Sequence, residues 1–334
     1  MPWKVFITAQ VMEQVGGVAL DLLRDSGCEI VLPARWNVRQ AAELLAELPG
    51  IDATLAGVDL YTADVLNSPT LSRLKIISRW GVGYDSIDIP AATRNGVVVA
   101  YTPGLLNEAV ADYTFALLCA VARRVHASHE LMHAGGWQAM WGHDIHGKTL
   151  GIVGCGRIGQ AVARRAQGFS MRVLASDLVP PAAPSDLGIE WVPLPELLRS
   201  SDFVSLHASL TPASRGLIGA GELRSMKRSA YFINTARGAL VDELALAQAL
   251  HEGWIAGAAL DTFVSEPLAA DHPLRKAPGA LLTSHQASFA KETGERVSCS
   301  AAQAIVDLMQ GRKPRLVVNE DVWSAPALRS KISG

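Results

Sequence analysis

Cysteine is scarce: the four in 334 residues, Cys28, Cys119, Cys155 and Cys299, lie far apart and form no Cys-x-x-Cys pair. That spacing excludes a zinc knuckle and a dense disulfide framework. Charge is sparse too, at 19% of the chain, with 30 Lys and Arg against 32 Asp and Glu and no long run of either sign. A formal charge of −2 without a basic stripe excludes the usual electrostatic footprint of a nucleic-acid or membrane-surface partner. No apolar run approaches the ~18 residues that span a bilayer. The opening stretch Met1-Pro2-Trp3-Lys4-Val5-Phe6-Ile7-Thr8 holds one basic residue and a very short apolar segment, soon followed by Glu13, unlike a secretory signal. The expected location is the cytoplasm. What the chain does have is apolar bulk, 49% hydrophobic residues, too much for disorder or a coiled coil. At roughly 150 residues per domain, this length makes about two compact units.

From Lys4 to Pro103 short apolar runs (VFITA, EIVLPA, ATLAG, LKIISR, GVVVAYTP) alternate with amphipathic stretches such as RQAAELLAELPG. Strands separated by helix-length segments predict a parallel sheet covered by helices. Residues 107–134 contain no Gly or Pro and are rich in Ala and Leu, which predicts one long helix or two abutting helices linking the halves. A second α/β unit then runs through TLGIVG, MRVLASD, DFVSLHA, AYFINTA, GAALDTF and ALLTSH. The amphipathic segment from about Lys291 to Met309 has no strand nearby in sequence and is expected to return to the first unit. The predicted class is α/β, with two doubly wound parallel-sheet domains.

Gly154-Cys155-Gly156-Arg157-Ile158-Gly159 matches G-x-G-x-x-G, a weak signal alone and a strong one in this context. It follows the apolar strand Leu150–Val153 and opens a helix, after which MRVLAS leads to Asp177, 18 residues beyond Gly159. Glycines allow a tight turn and close backbone approach, so a pyrophosphate can meet the helix N–H groups and the positive end of its dipole. A carboxylate at Asp177 accepts the adenosine ribose hydroxyls and repels a 2′-phosphate, and residues 178–185 hold no Arg or Lys to attract one. The expected cofactor is therefore NAD rather than NADP.

Three further segments close predicted strands: Asn234-Thr235-Ala236-Arg237-Gly238, Leu260 to Pro267, and Thr283-Ser284-His285. Ligands of open parallel sheets bind outside the carboxyl ends of the strands, so Arg237, Glu266 and His285 are expected to converge beside a nicotinamide. Reduction of a 2-keto acid needs a fixed cation that polarises the ketone and a proton donor for its oxygen. Arg237 can serve as the first and His285 as the second, with Glu266 orienting the imidazole and favouring its charged form.

From about Leu74 to Asn319 these motifs resemble the D-isomer-specific 2-hydroxyacid dehydrogenase family. Ser78-Arg79-Trp80-Gly81-Val82-Gly83-Tyr84-Asp85-Ser86-Ile87-Asp88 is similar to its substrate loop, and Tyr101-Thr102-Pro103-Gly104 and Val110-Ala111-Asp112 follow suit. The resemblance implies a Rossmann NAD-binding domain at 103–290, inserted in a flavodoxin-like substrate domain made of 1–102 and 291–334. It implies that Gly81, Val82 and Gly83 offer backbone N–H groups to the substrate carboxylate beside Arg79 and Trp80. Asp261 would bind the nicotinamide carboxamide, and His207, Pro212, Thr235 and Ala236 would line the cofactor site. The implied substrate is a small 2-keto or D-2-hydroxy acid of the phosphoglycerate, hydroxypyruvate or glyoxylate type, and the implied assembly is a homodimer formed through 107–134. Two departures stand out: Ser284 replaces the Pro that usually precedes the histidine, and His207-Ala208-Ser209 replaces His-x-Pro. Glu266 argues against the formate-oxidising branch, which has glutamine there.

His126, His129 and His133 can share a helix face, but no acidic or cysteine ligand is paired with them and no metal is expected. The alternative function is an NAD(H)-sensing binding protein, since corepressors called C-terminal binding proteins resemble the same family. The lack of added tails and basic patches weighs against it.

Overall fold

The Val- and Ile-rich runs form strands because such β-branched side chains suit a pleated surface buried on both faces. In the computed structural model, which describes residues 2–178, 186–330 and 332, the chain divides into two compact units, Met1–Leu106 with Phe289–Gly334, and Asn107–Ser288.

The first unit holds β1 (Lys4–Ile7), β2 (Glu29–Val31), β3 (Ala53–Ala56), β4 (Ile76–Arg79) and β5 (Val98–Ala100), ordered β2-β1-β3-β4-β5. All pairings are parallel, and the order is flavodoxin-like. Strands β3, β4 and β5 are buried throughout. One face packs on Leu44, Leu48, Leu66 and Ala92. The helix Lys291–Met309 belongs to this unit and buries Val297, Ala301, Ala302 and Ile305. Ser78 in β4 fixes it by donating to the Ala301 carbonyl at 2.8 Å.

The second unit adds β6 (Thr149–Val153), β7 (Arg172–Ser176), β8 (Ile189–Trp191), β9 (Phe203–Leu206), β10 (Tyr231–Asn234), β11 (Gly257–Leu260) and β12 (Ala280–Leu282). Among the described residues their order is β12-β11-β10-β9-β6-β7-β8, again all parallel. Strand order reverses between β6 and β9, so the binding crevice of this sheet opens beyond Val153 and Leu206. The 107–134 region forms two helices, Asn107–Ala122 and Val125–His133. They part at Arg124, whose φ of 54° is left-handed and cannot continue a helix. The first helix buries Val110, Ala111, Thr114 and Leu118. It is tied to the helix Arg157–Gln167 by Arg165, which reaches Asp112 at 2.7 Å and Glu108 at 2.8 Å. Among the described residues no helix is long and apolar enough to cross a membrane.

Candidate active site

After β6 the chain turns at Gly154, whose φ of 87° suits glycine. A Cβ there would lie 2.5 Å from Ala208 N, and one at Gly159 would lie 2.5 Å from Gly154 O. At Gly156 a Cβ would meet nothing within 4 Å, so the middle glycine borders open space. The helix Arg157–Gln167 starts there without a side-chain cap. Its first N–H groups, on Arg157 and Ile158 among others, are thus left for a pyrophosphate. Asp177 follows β7 and is exposed. Its Oδ2 accepts the Cys155 N–H at 2.8 Å, which leaves Oδ1 for ribose hydroxyls. Of the Lys- and Arg-free stretch beyond it, residues 179–185 lie outside the described residues.

His207 follows β9, and its N–H donates to Val153 O at 2.7 Å. Ser205 Oγ lies 2.8 Å from its Nε2. Burial pulls the His207 pKa down to about 4, so the ring is neutral at pH 7. Pro212 lies in an exposed turn. Thr235 is buried with its hydroxyl 2.9 Å from that of Thr114, and Ala236 is half-buried. An open middle glycine, an uncapped helix start and an exposed carboxylate fit a dinucleotide such as NAD.

Arg237 stands on a turn fixed by a residue that sequence reasoning left unassigned. The buried Asn234 side chain accepts the Ala236 N–H at 2.9 Å and donates to Arg237 O at 3.0 Å. Its place three residues before the arginine, at the last position of a strand, was the available signal. The Arg237 guanidinium donates to Ala236 O at 2.9 Å and has further partners. At the next residue, Gly238, a Cβ would fall 2.0 Å from Phe263 C and 2.3 Å from Val264 N. The arginine turn therefore abuts the loop that carries Glu266.

That loop is clipped twice: Phe263 N–H donates to Glu266 Oε1 at 2.9 Å and Val264 N–H to Glu243 Oε1 at 2.8 Å. The other Glu266 oxygen lies 2.7 Å from His285 Nδ1. Burial pushes the Glu266 carboxyl up, but the His285 hydrogen bond and charge, the Phe263 N–H and the Arg237 charge outweigh it and hold it below its ordinary value. Glu266 is ionised at neutral pH, as orientation of an imidazole through Nδ1–H requires. His285 has a left-handed φ of 53°. Its N–H donates to Asp261 O at 2.8 Å. The Asp261 carboxylate, fully buried, accepts from Thr283 Oγ1 at 2.6 Å, Gln286 N at 3.0 Å and Ala287 N at 2.8 Å. Asp261 thus carries the histidine loop, a task not read from the sequence.

In the first unit the loop after β4 holds Arg79, Trp80 and Gly81 in contacts of its own. Arg79 is only 7% exposed, and its guanidinium folds back on its own loop, with Nε donating to Gly83 O at 2.9 Å and Nη1 to Trp80 O. The loop carbonyls it meets need donors. The Trp80 indole is core: its N–H donates to Ser298 Oγ at 2.9 Å and its ring meets the Phe289 ring edge-on at 6.2 Å. The Gly81 N–H is already given to Thr102 Oγ1 at 2.9 Å. Among the described residues, the N–H groups of Val82 and Gly83 have no acceptor.

Residues 115–287 match the family described as D-isomer specific 2-hydroxyacid dehydrogenase, NAD binding domain. The glyoxylate reductase of Korarchaeum cryptofilum is 47% identical over 257 residues, 75% of this chain and 77% of that protein. The glyoxylate reductase of Thermofilum pendens is 39% identical over 96% of this chain and 95% of its own. Among solved structures, the TT0316 protein from Thermus thermophilus superposes with a TM-score of 0.86 at 40% identity, covering 94% of this chain and 99% of that one. The chain belongs to the D-isomer-specific 2-hydroxyacid dehydrogenase family, and it is an NAD-dependent dehydrogenase that interconverts a 2-keto acid and its 2-hydroxy acid.

Proposed function

We propose that the protein reduces a short 2-keto acid of the glyoxylate or hydroxypyruvate type to its D-2-hydroxy acid, with Arg237, Glu266 and His285 as the catalytic residues. The observation that carries this is the 2.7 Å pair of Glu266 and His285 on a loop abutted by the Arg237 turn. When bound, NADH supplies the hydride for the keto carbon. Arg237 binds the substrate carboxylate and polarises the carbonyl, a task for which a fixed fork of donors is suited. His285, held through Nδ1 by Glu266, gives the Nε2 proton to the carbonyl oxygen as the alcohol forms. Gly154, Gly156, Arg157, Ile158 and Gly159 hold the pyrophosphate, and Asp177 the adenosine ribose. His207, Pro212, Thr235, Ala236 and Asp261 border the nicotinamide side. The Val82 and Gly83 amides of the first unit are proposed as ligands of the substrate carboxylate.

A second copy of the chain is the proposed partner, paired through the 107–134 region of the NAD-binding domain. Exposed apolar groups there and just beyond, Val125, Met132, Trp137 and Trp141, support an interface. The cysteines are free, which supports the cytoplasm as location. The near-neutral charge gives no reason to propose a nucleic-acid partner. The test of function is NADH oxidation over a panel of 2-keto acids, repeated with NADPH. Preference for glyoxylate or hydroxypyruvate with NADH is the expected outcome, and turnover confined to phosphorylated or bulky keto acids would overturn it.

A further inference from the structure

Thr102 and Arg79 grip the same short loop of the first unit from two directions. The Gly81 carbonyl accepts both the Thr102 N–H at 3.0 Å and the Thr102 hydroxyl at 3.1 Å. The same hydroxyl oxygen accepts the Gly81 N–H at 2.9 Å, and Thr102 is buried. A peptide group is planar and trans, so its C=O and N–H point in opposite directions. With the Gly81 carbonyl bound to Thr102, the N–H of Val82, in the same peptide plane, must point away from Thr102.

Arg79 fixes the next turn of the loop. Its guanidinium spans the Trp80 and Gly83 carbonyls, which one planar fork can do and a single ammonium cannot. It lies directly against Gly81, whose φ is 129°: a Cβ there would be 3.1 Å from Nη1 and 3.3 Å from Cζ. The Gly83 N–H therefore sits between two immobilised peptide planes. Val82 and Gly83 are half-buried, and their two adjacent N–H groups, without an acceptor among the described residues, are donors of the kind an anion takes.

We infer that Arg79 and Thr102 are positioning residues, which hold the Val82 and Gly83 amides as a two-donor seat for the carboxylate of an unphosphorylated 2-keto acid. This rests on the function proposed above and names the residues that shape its carboxylate seat. An arginine committed to two loop carbonyls is not the anchor of a distal phosphate.

The test uses the full chain and the variants Thr102→Val, Thr102→Ser and Arg79→Lys, with oxamate as a non-reacting 2-keto acid analogue. Thr102→Val and Arg79→Lys should each raise the KM for glyoxylate about tenfold, the ratio carried by one hydrogen bond of ordinary worth. They should weaken oxamate binding to the NADH-loaded protein by the same factor, leave the Kd of NADH within about twofold, and speed amide exchange at residues 81–83. Thr102→Ser should restore wild-type values. If Arg79→Lys does not fold, the Val and Ser pair at Thr102 decides. Unchanged KM and oxamate affinity in Thr102→Val, or an Arg79→Lys loss confined to phosphorylated keto acids, would overturn the inference while leaving the proposed reaction standing. A wild-type protein that turns over no 2-keto acid would overturn the reaction itself, and the inference with it.

Discussion

Oε2 of Glu266 stands 2.7 Å from Nδ1 of His285 while Oε1 accepts the Phe263 N–H at 2.9 Å, so one carboxylate both aims the imidazole and ties down its own loop. Glu266→Gln keeps the size and removes the charge. It should lower kcat for keto-acid reduction by about 10–100-fold, and His285→Ala should lower it by about 10²–10⁴-fold. Neither should alter NADH affinity, as measured by fluorescence titration. The depressed carboxyl of Glu266 contributes stability above the ordinary value of 4.5, and that stability is lost as pH falls through its lower folded value. The wild-type rate should therefore hold down to about pH 5 with no limb from Glu266. An inflection from a carboxyl at or above that pH would contradict the assignment.

Gly238 has no room for a methyl group, since its Cβ would fall 2.0 Å from Phe263 C. Gly238→Ala must push the Glu266 loop away from the Arg237 turn. A loss of about 1–3 kcal/mol in urea unfolding should accompany a fall in kcat larger than that of Glu266→Gln, because arginine and acid are displaced together. Retention of full activity would show that the loop moves freely.

Asp177 keeps one oxygen on the Cys155 N–H and presents the other to solvent. Asp177→Ser should weaken NADH binding about tenfold and improve NADPH binding relative to NADH by about tenfold or more, roughly the scale of one charged contact. Parallel titrations with both dinucleotides measure it, and an unchanged ratio would refute the role given to this carboxylate.

His207 stays neutral in the folded protein to about pH 4, whereas the unfolded chain takes up a proton near the ordinary value of 6.5. The unfolded state then binds more protons between those limits, so stability falls as pH drops through that window. The full shift corresponds to about 3 kcal/mol at most. In His207→Asn, melting temperatures between pH 4 and 7 should show a shallower decline than in the wild type. Parallel curves for the two proteins would argue that His207 is not the group responsible.

Both sheets, the glycine turn and the meeting of Glu266 with His285 were legible because each rests on local pattern: apolar runs of strand length, fixed glycine spacing and strand-end placement. Strand β8, Ile189–Trp191, was not, since three partly exposed edge residues carry no periodicity. The contacts that Arg79, Trp80 and the Gly81 N–H make within the first unit were hidden for a different reason. Which donor a buried carbonyl takes depends on atoms brought close only by folding, such as Thr102 and Ser298. The bracing roles of Asn234 and Asp261 were hidden for the same cause: a side chain that braces main chain looks, in a sequence, like any other polar residue at a strand end.

The Asp261 carboxylate anchors the histidine loop through Thr283, Gln286 and Ala287, with a consequence for the residue that follows Thr283. Ser284, between Thr283 and His285, is exposed. With its neighbours on both sides moored to a buried acid, that position is relieved of shaping the backbone and is open to substitution by evolution or by an engineer.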